Sequence, residues 1–481
     1  MKTRRIWWPS LKIRPALAGA LLVIAGTLIG LVVVLLPLAA WTLAGAALAL
    51  LLLLAPSHIR IGATVLAATG SRLLVATGYF PESLNFFHFP LVLLVALVAA
   101  TEATPHSSLR RALGYGLLAL LAACLLSWIV NGGQPMRPLL DWLVFAEPIL
   151  LIYALAAMPP DPRMMKALWG LALALPFVQL PLAVYQSLSR GVSDLVQGLF
   201  LGMGAGAHVA GGLTLVGSLI CLARAIESAK LKAGSFWLLG GALLFLVAVL
   251  ADAKQVIIAF FPSLLLMLLG LVKLRWSRAV VALPVLAGII LGAFSYYRPL
   301  QMVLDWTLIS RGVLGKVQAF AVIASRFSSS PGAWIFGLGP GNTVSRVALM
   351  GLESFVKPDS SVHLLGLIPA RTTIELWSLT SSNWLFSSSS VWSSVSSWLG
   401  LFGDLGLVGF GLYLWMCLRI WRGISSKAVW QTRVARAVLL MCGLLGFMFS
   451  WLEEPGFTIP VSLVVGLGLI IGQAREAEGT E

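Results

Sequence analysis

The chain is a succession of apolar runs of membrane-spanning length, separated by short polar breaks, and this pattern fixes what it can fold into. Runs are legible at about 15–37, 38–55, 61–79, 88–104, 112–130, 139–158, 167–188, 208–223, 235–250, 256–273, 279–297, 399–418, 437–453 and 458–473. A helix needs roughly 20 apolar residues to cross the hydrocarbon of a bilayer. In that hydrocarbon only helices or closed barrels satisfy their own backbone. The expectation is an all-α polytopic membrane protein with about 12–14 transmembrane helices and one large loop on the outer side. With 59% hydrophobic and 11% charged residues, against about 25% charged in soluble domains, a soluble enzyme and a disordered chain are excluded.

The first run, Ala16 to Leu36, is too long for a cleavable signal and flows into the second. The run at 61–79 is the weakest, because it holds Arg72. Cys124, Cys221, Cys417 and Cys442 all lie in apolar runs without a CxxC spacing, so they are expected as small buried hydrophobes and not as metal ligands or disulfides.

The net charge of +15 tests this layout. With the N-terminus inside, 22 of the 33 Lys and Arg fall on inner segments, as the positive-inside rule requires. The expected topology has both termini in the cytoplasm. Ten cations remain outside: Arg137, Arg190, Lys254, Arg298, Arg311, Lys316, Arg326, Arg346, Lys357 and Arg371. Seven of them sit in the outer segment 298–395, the one long connection in the chain. The expected division is therefore an N-terminal bundle over 1–297, a loop domain with interfacial helices over 298–395, and C-terminal helices with a short tail over 396–481.

Within the loop, Val313, Val317, Phe320 and Ala324 recur at helical spacing, which predicts an amphipathic helix on the membrane surface. Trp334 to Asn342, WIFGLGPGN, is turn-rich. It lacks the Lys-Ser/Thr of a nucleotide-binding loop, and no nucleic-acid partner is expected. A Ser-rich stretch over 378–397 has Trp377, Trp384, Trp392 and Trp398 in or beside it. That mixture suits the membrane interface and would equally suit a sugar.

Four stretches carry a resemblance to the O-antigen polymerase and O-antigen ligase superfamily of bacterial surface-polysaccharide enzymes. They are Ser189 to Gly206, SRGVSDLVQGLFLGMGAG; Asp252-Ala-Lys254-Gln255; Arg311 through Asn342, a basic helix followed by the FGLGPG turn; and Ser393 to Gly409, SSVSSWLGLFGDLGLVG, similar to the family's motif opening the span after the large loop. The resemblance covers about residues 170–420. Where ligases and several polymerases place a His in the last motif, this chain has Val395, while the acidic residue is kept as Asp404. His363 is the only histidine of the large loop, and His88 and His208 stand at outer span ends.

The resemblance implies a glycosyltransferase of the bacterial inner membrane, acting at the periplasmic face. Its donor would be a glycan on undecaprenyl pyrophosphate and its acceptor a sugar hydroxyl of another glycolipid. The transfer would be inverting and without metal or other cofactor. A pyrophosphate leaving group needs cations in place before reaction, and the planar fork of Arg suits phosphate oxygens. Arg311, Lys316, Arg346 and Asp404 are the expected catalytic residues, and Arg190, Asp194, Lys254, Ser396 and Trp398 the expected substrate-binding ones. Loss of Arg311 or Arg346 is expected to abolish transfer with protein levels intact. A general base is left open among Asp194, Asp305, Glu353, Glu375, Asp404, the histidines and Glu453-Glu454, which form the last outer turn. Membrane lipids, a flippase and a chain-length regulator are the implied partners. The missing His favours polymerase over ligase. A transporter and a non-catalytic export scaffold are the alternatives of other classes.

Overall fold

The computed structural model describes residues 51–101, 108–202, 205–228, 230–272, 288, 306–356, 365–382, 393–424 and 429–478. The chain divides into two units, Met1–Arg60 and Ile61–Glu481. Of the predicted spans, 15–37, 279–297 apart from residue 288, and 38–55 for most of its length, lie outside the described residues, as do His363, Arg298, Asp305, Lys357 and the indoles Trp384 and Trp392.

The remaining spans are helices, and no strand occurs among the described residues. They are α1 (Ser57–Ala76), α2 (His88–Thr101), α3 (Ser108–Asn131), α4 (Arg137–Leu155), α5 (Pro162–Arg190), α6 (Gly206–Glu227), α7 (Leu231–Leu250) and α8 (Lys254–Val272). In the outer segment follow α9 (Trp306–Ser328), α10 (Pro331–Phe336), α11 (Arg346–Val356) and α12 (Arg371–Ser381). The chain closes with α13 (Ser397–Gly423), α14 (Trp430–Met448) and α15 (Pro455–Glu478). Ten helices among the described residues are long and apolar enough to cross a membrane, that of Arg72 included, and α8 is a shorter apolar helix. The chain is thus an all-α, multi-pass membrane protein.

Helices α4, α6 and α15 form the interior, being buried on most of their circumference. In a bilayer, helices associate by close packing, not by escape from water, so small residues mark their contacts. Gly217 of α6 shows this: a Cβ there would collide with Pro176 of α5 and crowd Leu244 of α7. Around this centre α3 packs on α4 and α13, and α8 on α14.

Helix α13 is broken. Gly406 has φ 62° and ψ −160°, outside the helical region. A break leaves carbonyls without their helical donors. Here the Gly403 carbonyl accepts from Leu338 N–H (2.8 Å), and that of Asp404 from Gly339 N–H (3.2 Å) and the Ser127 hydroxyl (2.9 Å). The turn after α10 therefore plugs the break.

The described part of the outer segment belongs to the same compact unit as the bundle. Helix α9 has two apolar faces. Ala319, Ile323 and Phe327 are fully buried in a small core with Val344, Leu376 and Val395. The stripe expected from the sequence is the other one: Val313, Val317 and Phe320 are exposed, free to meet lipid as an interfacial helix does.

Candidate functional site

The ends of α3, α4, α13, α14 and α15 that the charge bias assigns outside meet at one end of the bundle, and α11 and the Gly-rich turn close over them. Asp404 is the centre of this assembly. It is fully buried, and its carboxylate accepts from the N–H groups of Gly341 (2.9 Å), Asn342 (3.1 Å) and Thr343 (2.8 Å) and from the Thr343 hydroxyl (2.7 Å). The turn can come so close because Gly337, φ 77°, has no Cβ to strike the Asp404 carbonyl. Asp404 was expected as a catalytic group. Its acceptor capacity is spent on the turn, and its role here is that of an anchor.

Lys316 is also corrected. Its Nζ donates to the carbonyls of Ser393 (2.5 Å), Val395 (2.8 Å) and Met448 (3.0 Å). An ammonium has three protons, so none is left for a pyrophosphate. Lys316 clamps the start of α13 and the end of α14 to α9. Burial lowers its pKa to about 7, while the three carbonyls favour the charged form. Lys316→Met is expected to cost about 2–4 kcal/mol, as loss of charge-assisted hydrogen bonds does, measured as a lower thermal unfolding temperature in detergent.

Ser396 and Trp398 fall out of the substrate-binding set for the same reason. Ser396 Oγ donates to the Gly446 carbonyl (3.0 Å) and Trp398 Nε1 to that of Gly443 (2.9 Å). The Trp398 ring is buried among Phe410, Tyr413 and Phe447 and presents no face to a sugar.

Arg346, also among the expected catalytic residues, is half-buried. It opens α11, and its Nη1 pairs with Glu454 Oε2 and donates to the Glu453 carbonyl (3.1 Å), while its backbone N–H donates to Glu453 Oε2. Burial opposes its charge, Glu454 and Glu453 outweigh burial, and its pKa is raised. With Nη1 held, Nε and Nη2 have no partner among the described residues. Glu453 is pushed up to about 8 by burial, against the pull of the Arg346 N–H and Ser397. Its native pKa lies above its unfolded value near 4.5, so over that window the folded protein keeps a proton that the unfolded chain releases. Stability is therefore expected to fall as pH rises from about 4.5 to 8 and to level off above. Glu453→Gln should flatten that slope in thermal unfolding followed against pH.

Three groups near Arg346 were not among the expected site residues. Arg137, counted from sequence only as an outer cation, heads α4 and donates to Gln134 Oε1 (3.1 Å), Asn342 Oδ1 and the Ile368 carbonyl, tying the Gly-rich turn to the bundle. One turn on, Asp141 is fully buried; the Ser345 hydroxyl faces it, and Asp404, Glu453 and Arg137 are within electrostatic reach. His88 of α2, noted from sequence at an outer span end, pairs through Nδ1 with Glu147 of α4, both buried. The signal for Asp141 and Glu147 was present: ionisable residues inside an apolar run are by default functional. Arg72 of α1 lies within electrostatic reach of Glu454, Arg346, Glu353 and Glu82.

The chain matches no family model and no curated protein.

The other expected residues form a neighbouring group. Asp194 Oδ1 is 3.9 Å from His208 Nε2, and Lys254 Nζ is 2.6 Å from Asp252 Oδ2. Burial raises the pKa of Asp252, which Lys254 opposes. Arg190 is exposed and donates to the Leu195 carbonyl (3.3 Å). The groups are linked, since Trp451 Nε1 donates to Gln255 Oε1 (3.0 Å) two residues before Glu453. The backbone of Arg311 lies in α9, and its side chain is outside the described residues. No group of three or more His, Cys, Asp and Glu suited to a metal ion occurs among the described residues.

Proposed function

We propose that the chain is a membrane glycosyltransferase of the polysaccharide polymerase type. In this reading it transfers a glycan from undecaprenyl pyrophosphate to a sugar hydroxyl of an acceptor glycan, at the periplasmic face of a bacterial inner membrane. The observation that carries the reading is the meeting of two stretches on which the resemblance rests. Trp334 to Asn342 and Ser393 to Gly409 are far apart in sequence, yet the first folds around Asp404 of the second. The same junction brings up Arg346, whose Nε and Nη2 have no partner among the described residues. A guanidinium held on one side by a carboxylate is pre-organised to meet a charge that develops on a leaving phosphate.

In this mechanism the acceptor O–H adds to the anomeric carbon as the bond to the pyrophosphate oxygen breaks. The pyrophosphate leaves with the electron pair, facing Arg346. The proton passes to a group of the same end, for which Glu453, Asp141 and the His88–Glu147 pair are the candidates. Membranes containing the chain, supplied with a lipid-linked repeat, are expected to yield a ladder on undecaprenyl pyrophosphate. Glycan attached to lipid A core would assign a ligase instead.

The break at Gly406 and the buried Asp141 favour a second reading, proton-linked transport of a glycolipid, because transporters place broken helices and buried carboxylates at their sites. Glycolipid crossing vesicles without any elongation would select it.

A further inference from the structure

The opposite end of the same helices carries a second concentration of charge, which the transfer reaction does not use. Arg224, in the last turn of α6, lies between two indoles, 4.7 Å from the Trp237 ring centroid and 5.3 Å from that of Trp430. Trp430 opens α14 and leans on Trp169 at 4.8 Å. Three residues on, Arg433 is 9% exposed, and its Nη1 is buried without an acceptor among the described residues. Three further on, Arg436 gives Nη2 to the Ile424 carbonyl (2.6 Å), sits 5.7 Å from the Trp421 ring, and leaves Nε buried without an acceptor among the described residues.

Three guanidinium groups thus stand among the indoles of this end, and Glu227 is within electrostatic reach of Arg433. Buried N–H groups without acceptors cost stability. A bound anion with several oxygens supplies those acceptors. The indoles mark the depth of a membrane interface, and the positive-inside bias assigns this end to the cytoplasmic side.

We infer that this end binds a phosphate group, that of an anionic phospholipid of the inner leaflet, with Arg433 and Arg436 donating to its oxygens and Trp430 and Trp421 flanking the headgroup. Basic pockets between transmembrane helices on this side suit such headgroups. The site does not depend on the proposed transferase activity.

The test is thermal unfolding of the purified full-length protein in detergent, titrated with phosphatidylglycerol, with phosphatidylcholine, and with inorganic phosphate at constant ionic strength. Phosphatidylglycerol is expected to raise the midpoint by about 3–6 °C, by binding the native state alone, and phosphatidylcholine to leave it unchanged. The double variant Arg433→Gln/Arg436→Gln is expected to lose the shift. An equal shift with inorganic phosphate would keep the anion site and name free phosphate as its occupant. No shift with either anion, or an undiminished shift in the double variant, overturns the inference. Should the variant not fold, native mass spectrometry of the unaltered protein decides. Phosphatidylglycerol retained at collision energies that strip phosphatidylcholine supports the site, and equal loss of both overturns it.

Discussion

Arg346→Ala is expected to abolish glycan transfer and, contrary to the expectation from sequence, also to lower the amount of folded protein. Arg346 faces Glu454 and Glu453, both buried. Removing one partner of a buried ion pair leaves an uncompensated charge, at about 3–5 kcal/mol. Loss of activity in the alanine variant would therefore say little about chemistry. Two other variants separate the effects. Arg346→Lys keeps the charge against Glu454 but lacks the planar fork; it should accumulate nearly as the parent while transfer falls roughly 10²–10³-fold, the scale of losing one pre-organised donor to a developing charge. Arg346→Met with Glu454→Gln removes both charges, and should recover protein without recovering transfer. Measured product in that double variant near the parent's would remove Arg346 from the reaction.

Asp404→Ala is expected to have the largest effect on folding. Its carboxylate serves three backbone N–H groups and a hydroxyl, all at the junction of the Gly-rich turn with the broken helix α13. Buried donors left without an acceptor cost about 1–3 kcal/mol each, so the sum approaches the whole stability of a typical protein, roughly 5–15 kcal/mol. The alanine variant should be lost or strongly destabilised. Asp404→Asn keeps one acceptor oxygen and turns an NH₂ toward an N–H donor, so an intermediate fall in the unfolding temperature is expected. If Asp404 served only in chemistry, either variant would lose activity at unchanged stability, and that result would reverse its assignment as an anchor.

The helices were legible because hydropathy is a local property: a run such as 208–223 declares itself whatever the rest of the chain does. The turn at Trp334 to Asn342 was legible for the same reason, through its glycines and proline, and so was the exposed stripe of α9. Singling out Asp404 and Lys316 was sound as far as sequence goes, since a charged residue at a membrane protein's outer face needs a reason. What sequence could not supply is the partner that uses up the charge. Lys316 finds its acceptors at Ser393, Val395 and Met448, and Trp398 its partner at Gly443, all remote in the chain.

The sequence by itself determined that this protein is a multi-pass helical bundle and which runs are long and apolar enough to cross, and it set apart a small group of cations on the side that the charge bias assigns outside. The tertiary structure decided which of those cations are spent on the protein's own carbonyls and which keep an edge without a partner among the described residues. It also brought Arg137, Asp141 and the His88–Glu147 pair to the same end as Arg346. The physical reason is one of range. Hydropathy and helix period act over a turn or a span, whereas the environment of a charge depends on which helix ends are packed together, and that is fixed only when the whole bundle closes.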